Sequence, residues 1–147
     1  IPLGSSVSLE TLWPWDGYPI PDGVIPEQDG GFTNNSSVVL RMAYGSRAFL
    51  FTGDIEMEVE EKLLTEMPEK LRCDVLKIPH HGASTSSSMA FIQAAKPAYG
   101  TIITYALNDI NIVQRYKSQN VNTTITSIDG TVLYLTDGSK LQYATEK

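Results

Sequence analysis

A chain of 147 residues, 41% hydrophobic and 19% charged, has the make-up of one globular domain with a real core. Its formal charge of −6, with 11 basic residues scattered singly, excludes a general electrostatic grip on nucleic acid. The single cysteine, Cys73, excludes an intrachain disulfide framework and, at the entry to an apolar run, reads as a small buried hydrophobe. The longest apolar runs, Val38–Leu40 and Ala48–Phe51, fall far short of the ~20 residues of a membrane helix. No charged start followed by an apolar stretch marks a signal peptide. The opening Ile1-Pro2-Leu3, without methionine, predicts a processed chain or a piece of a longer one.

Along the chain, Ser6–Trp13 reads as a short strand inside a Pro/Gly-rich lead-in that spans residues 1–33 and is otherwise a long loop. A loop of that length is usually functional or rests on another part of the protein. From Asn34 to Lys147 the pattern is regular. Ser37–Tyr44 and Arg47–Thr52 are strands joined by a Gly45-Ser46 turn. Ile55–Met67 places Ile55, Val59, Leu63 and Met67 at i+4 spacing, one apolar helical stripe. Glu56, Glu58, Glu60 and Glu61 crowd its first turns, where the helix dipole favours negative charge.

A strand at Val75–Ile78 runs into Pro79-His80-His81-Gly82. Ser86-Ser87-Ser88 caps a helix at Met89–Ala95, closed before Pro97. Thr101–Tyr105 is a further strand, and Ile110–Gln119 a helix. The tail reads as a hairpin of Thr123–Ile128 and Thr131–Thr136 about Asp129-Gly130, then Asp137-Gly138 and a last short strand. Residues 1–147 are thus a single mixed α/β domain with central strands buried on both faces.

Two segments carry chemistry, both just past the ends of buried strands, where open α/β sheets present functional groups. In Phe49-Leu50-Phe51-Thr52-Gly53-Asp54, the aspartate suits a helix N-cap, the commoner role, or a metal-bridging carboxylate on a rigid element. In Val75-Leu76-Lys77-Ile78-Pro79-His80-His81-Gly82-Ala83-Ser84-Thr85-Ser86 stand the only two histidines of the chain, at a strand end and followed by glycine and hydroxyl residues. Adjacent residues leaving a strand point different ways. One imidazole therefore suits a metal and the other proton transfer or orientation of a ligand, with packed or surface histidines as the plain alternative.

Asn34-Asn35-Ser36-Ser37-Val38-Val39-Leu40-Arg41, the Thr52-Gly53-Asp54 turn, Cys73-Asp74-Val75-Leu76-Lys77-Ile78-Pro79-His80-His81-Gly82, Asp129-Gly130-Thr131 and Thr136-Asp137-Gly138 occur in the order of a known family. Residues 34–147 resemble the C-terminal half of the metallo-β-lactamase domain of ComEC-type DNA-uptake proteins and their stand-alone relatives. The resemblance implies half of an αββα sandwich: a mixed sheet with flanking helices and a C-terminal β-hairpin. It implies Asp54 as a metal-bridging aspartate, His80 as a metal neighbour and His81 as the catalytic acid/base or orienting residue. It also implies two divalent metals, zinc or manganese, in the complete domain, activating a water that attacks a phosphoester, amide or lactone.

Two departures from the family qualify that expectation. The His-x-His/Asp-x-Asp-His cluster that supplies most ligands does not occur in this sequence. The family's Tyr-Gly-His-Pro segment is also replaced, by Asn108-Asp109 running into Ile110. This chain alone is therefore expected to hold an incomplete metal set or none. The functional expectation is a metal-dependent hydrolase domain, phosphodiesterase- or nuclease-like, acting on DNA during uptake. Its rivals are a non-catalytic structural or interaction module and a stand-alone esterase or lactonase. The expected partner is the missing N-terminal half of the domain or a second copy, with no direct membrane contact. The expected location is the extracytoplasmic face of a bacterial membrane if ComEC-like, and otherwise the cytoplasm.

Overall fold

The computed structural model describes residues 2–3, 6–15 and 29–147. The expected loop at 16–28 lies outside them. The elements are β1 (Pro2–Leu3), β2 (Val7–Trp13), α1 (Gly30–Asn35), β3 (Val39–Tyr44), β4 (Arg47–Phe51), α2 (Met57–Glu66), β5 (Val75–Lys77), α3 (Met89–Ala95), β6 (Tyr99–Ile102), α4 (Ile110–Ser118), β7 (Asn122–Ile125), α5 (Thr126–Asp129), β8 (Val132–Thr136) and β9 (Leu141–Thr145). A 3-10 turn, Pro79–Gly82, follows β5.

Strands β1 to β7 form one sheet in sequence order. β1 to β4 pair antiparallel and β4 to β7 parallel, so the sheet is mixed. The parallel register aligns Leu50 with Leu76 and Gly100, and Phe49 with Val75 and Tyr99. Side chains alternate across a strand, so these two rows lie on opposite faces. The first face packs on the helices. Leu50 and Leu76 join Ile55, Val59, Leu63, Phe91, Ile112 and Tyr116 in one buried cluster. The expected stripe of the first long helix is its inner edge: Ile55, Val59 and Leu63 are fully buried. That helix starts at Met57 rather than Ile55.

The second face meets the hairpin of β8 and β9. Tyr134 of β8 stands edge-on to Phe49 and Tyr99, with centroids at 6.5 and 5.8 Å, and its hydroxyl is 2.9 Å from Thr101 Oγ1. At the other end Arg47 Nη1 donates to Asp74 Oδ1 at 2.9 Å, and Arg47 Nε donates to the Ser139 carbonyl in the hairpin turn at 2.8 Å.

Several expectations need correction. The tail does not pair 123–128 with 131–136. β7 is instead the last parallel strand of the large sheet. It ends because Asp129 Oδ2 accepts from Ile125 N at 2.6 Å and folds residues 126–129 into a single helical turn. The hairpin turn is at Asp137-Gly138, where Asp137 Oδ1 accepts from Ser139 N at 2.8 Å and Lys140 N at 2.7 Å. Those backbone donors and the Ser139 hydroxyl hold the Asp137 carboxyl down at about 2. The strand expected at Thr101–Tyr105 is Tyr99–Ile102. Beyond it Thr104 turns out of the sheet, its N–H donating to Thr126 Oγ1 and its hydroxyl to the Ala106 carbonyl.

A helix unforeseen in the lead-in, α1, forms despite two glycines because Asp29 caps it, accepting from Phe32 N at 2.8 Å. It is anchored from below. Trp13, fully buried, donates from Nε1 to the Asn35 carbonyl at 2.6 Å.

Candidate functional site

The parallel strands β4, β5 and β6 end side by side, and the residues that follow each of them meet. Asp54 stands past β4, His80 and His81 past β5, and Ile103 past β6. The Thr52-Gly53-Asp54 turn is fixed by a left-handed glycine. Gly53 has φ +56°, and a Cβ there would lie 2.5 Å from Ser37 Cβ. Ser37 takes that space and accepts from Asp54 N at 3.0 Å. Thr52, fully buried, donates to the Lys77 carbonyl at 2.8 Å and ties the two strand ends together.

The Asp54 side chain does not cap α2. The N-cap position is Glu56, which makes no side-chain capping bond. Asp54 instead bridges two cations or potential cations: Lys77 Nζ lies 3.0 Å from Oδ1, and His81 Nε2 lies 3.3 Å from Oδ2. Lys77 also donates to the Gly53 carbonyl. Burial pushes the Asp54 carboxyl up, but Lys77 and then the two imidazoles outweigh it and leave it below its ordinary value.

His80 and His81 both occupy the left-handed region, at φ 47° and 52°. Histidine tolerates this better than most side chains, though two in succession carry strain. The turn sends the rings apart. His81 Nδ1 lies 2.6 Å from the Ile103 carbonyl. A carbonyl only accepts, so Nδ1 carries the proton and Nε2 is the atom presented to Asp54. His80 turns the other way, with Nδ1 3.2 Å from Thr85 Oγ1 and 3.4 Å from Glu56 Oε1. Asn34 Nδ2, on α1, is 3.2 Å from Glu56 Oε1 and 3.4 Å from His80 Nε2. Asn35 Oδ1 accepts from Glu56 N at 2.9 Å.

Beneath this turn sits a group the sequence reading placed only as a dipole-favoured acid. Glu60 is fully buried and its carboxylate accepts from Ser87 N at 2.5 Å and Ser88 N at 2.8 Å. Burial raises its pKa, against the pull of those donors and of Arg115. Arg115 Nη1 donates to the Ser86 and Ser87 carbonyls at 3.2 and 2.6 Å, and Tyr116 donates to Ser87 Oγ at 3.1 Å. Together these groups hold the loop that carries Thr85.

Of the expected site residues, Asp54 and His81 are therefore in contact, and His80 belongs to a neighbouring cluster with Glu56, Thr85 and Asn34. Glu56 was placed only as a dipole-favoured acid, Lys77 and Thr85 only as neighbours of the histidines in their segment, and the Ile103 carbonyl was not signalled. Asn34 and Ser37 were signalled only by lying in the Asn34–Arg41 segment of the resemblance.

Catalytic zinc takes three protein ligands per ion. Among the described residues no group of three or more His, Cys, Asp or Glu side chains is placed to hold a metal. One oxygen of Asp54 is already on the Lys77 ammonium. These residues do not fit a metal centre by themselves. Nor is any helix among the described residues long and apolar enough to cross a membrane.

No family model matches the chain. Its sequence is 36% identical to the competence protein ComA of Neisseria gonorrhoeae over 96 residues, 65% of this chain and 14% of that protein. It is 32% identical to the ComE operon protein 3 of Bacillus subtilis over 111 residues, 72% of this chain and 14% of that protein. With the Recombination protein 2 of Haemophilus influenzae the identity is 26% over 147 residues, 92% of this chain and 18% of that protein. The chain thus spans under a fifth of each of these relatives. By their names, these homologues indicate a competence, or DNA-uptake, protein family.

Proposed function

We propose that this chain is part of a DNA-uptake protein and supplies one wall of a metal-dependent phosphodiester hydrolase site of the metallo-β-lactamase type. The observation that carries the hydrolase reading is the meeting of Asp54 Oδ2 and His81 Nε2 at 3.3 Å, at the ends of adjacent parallel strands. The Ile103 carbonyl fixes the His81 tautomer, the arrangement by which a ligating or proton-transferring imidazole is oriented. In this reading the other metal ligands come from a preceding part of a longer protein. His81 handles a proton at Nε2 or ligates through it, and Asp54 holds the opposite side.

The test compares the longer protein with its Asp54→Ala and His81→Ala variants on single-stranded DNA and a chromogenic phosphodiester, with zinc or manganese. Each variant is expected to lose at least about a hundredfold in kcat. The 147-residue chain alone is expected to turn over neither substrate and to retain well under one zinc per chain by elemental analysis. Stoichiometric zinc held through a chelating column would reveal ligands outside this account.

A second reading, a non-catalytic module that keeps the fold, is favoured by one observation: Lys77 already neutralises Asp54 as a structural ion pair. Unchanged hydrolysis in both alanine variants would select it.

A further inference from the structure

We infer that His80 is a positioning residue, the clamp that holds the strained histidine turn and thereby aims His81 at Asp54. The inference rests on the reading of Asp54 and His81 as the working pair, and assigns the other histidine a different task.

Hydrogen-bond accounting carries it. Thr85 Oγ1 donates its only proton to Glu56 Oε1 at 3.0 Å. Toward His80 Nδ1, 3.2 Å away, the same oxygen can only accept, so Nδ1 carries the ring proton. His80 Nε2 is then the acceptor, and it faces the Asn34 amide nitrogen at 3.4 Å. Both nitrogens of His80 are satisfied by groups of this chain, and neither is directed at Asp54. His81 differs: Nδ1 is spent on the Ile103 carbonyl, and Nε2 is turned to Asp54.

The clamp joins three separate elements. Asn34 stands on α1, Glu56 at the start of α2, and Thr85 in the loop after the 3-10 turn, whose carbonyl also accepts from Met57 N at 3.0 Å. Two successive left-handed residues cost strain, and such strain persists only where the surroundings over-determine it. The ring of His80 supplies that restraint one residue before His81. Without it the turn is free to relax, and the His81 ring leaves the Ile103 carbonyl.

The experiment exploits a composition with only two histidines, since any variant at position 80 leaves His81 as the sole imidazole. His80→Gly removes the ring while relieving the left-handed backbone. His80→Asn tolerates the backbone and keeps a hydrogen-bonding side chain. Nitrogen-15 spectra of the imidazole, recorded with rising pH until its shifts no longer move, read the His81 tautomer. Exchange of its Nδ1 proton reads the bond to Ile103. Wild type and His80→Asn are expected to show the Nδ1–H tautomer with a protected proton. His80→Gly is expected to lose the single tautomer, with exchange at least about tenfold faster, while amides in β4 to β7 keep their protection.

If His80→Gly folds and leaves His81 unchanged, backbone conformation alone aims the ring and the inference is overturned. If that variant fails to fold, Thr85→Val and Asn34→Leu, which remove partners of His80 outside the turn, decide in the same way. None of these readouts uses substrate or metal. A wild-type His81 as described, in a longer protein whose hydrolysis ignores Asp54→Ala, would sink the functional reading and leave the clamp standing.

Discussion

At Gly53 and at Glu60 a single substitution bears on the geometry of the candidate site. A methyl group on Gly53 would meet Ser37 at 2.5 Å in a backbone region that already disfavours it. Gly53→Ala is expected to cost at least about 2 kcal/mol in urea unfolding, and to displace Ser37 from Asp54 N. A cost below about 0.5 kcal/mol would mean that Ser37 is not held there. Glu60 spends both carboxylate oxygens on backbone donors. An amide can accept from one of them but turns its NH2 toward the other, so Glu60→Gln is expected to destabilise by about 1–3 kcal/mol near neutrality. Because burial raises the folded pKa of Glu60 above 4.5, the folded chain holds that proton more tightly than the unfolded one. Its contribution to stability is greatest below that value and declines as pH rises through the folded pKa. The unfolding free energy of wild type relative to Glu60→Gln should fall across this window. A flat difference would show that the Ser87 and Ser88 donors and Arg115 fully offset the desolvation of Glu60.

Among the elements, the β8–β9 hairpin forms its own sheet and is tied to the large one by side chains and turns: Ser46 and Arg47 donate to the Gly138 and Ser139 carbonyls, and Tyr143 packs on Tyr99. Tyr134 joins them, touching Phe49 and Tyr99 and reaching Thr101 with its hydroxyl. Tyr134→Ala is expected to cost about 2–3 kcal/mol, and Tyr134→Phe about 1 kcal/mol. Hydrogen exchange should locate the loss: hairpin amides at 132–136 and 141–145 speed up while β4 to β7 keep their protection. Equal acceleration in both would make the hairpin one cooperative unit with the sheet.

At the scale of the molecule, the two faces of the sheet are covered unequally. Helices α2, α3 and α4 bury Leu50, Leu76 and Ile102 on one face, whereas the hairpin leaves a groove of about 590 Å³ on the other, lined by Phe49, Phe51, Val75, Ile103, Tyr134 and Leu135. Phe51, Ile103 and Leu135 remain 41%, 48% and 56% exposed. Apolar surface of this kind favours association. The isolated chain is therefore expected to self-associate with rising concentration in light scattering, and Phe51→Ser with Leu135→Ser to reduce it. A monomer at every concentration, with no dye-binding apolar surface, would show that the hairpin covers enough.

Local pattern was sufficient for the elements whose cause is local. The i+4 stripe of Ile55, Val59 and Leu63, the Ser88 cap of α3, the Gly45-Ser46 turn and the apolar strands at 47–51 and 75–77 stand where the sequence put them, within a residue or two. That Asp54 and the histidine turn each follow a buried strand was legible too; that the two strands lie side by side was not. Nor was partner choice. Two Asp-Gly turns in the tail offered two hairpins, and only the parallel pairing of β7 with β6 removed one of them. Which histidine meets Asp54 depended on left-handed dihedrals stabilised by Asn34, Glu56 and Thr85, residues 46, 24 and 5 positions from His80. Short-range periodicity reports which side of an element is apolar. Pairing, ring orientation and the burial of Glu60 are set by contacts between segments far apart in the chain, so only the tertiary structure decides them.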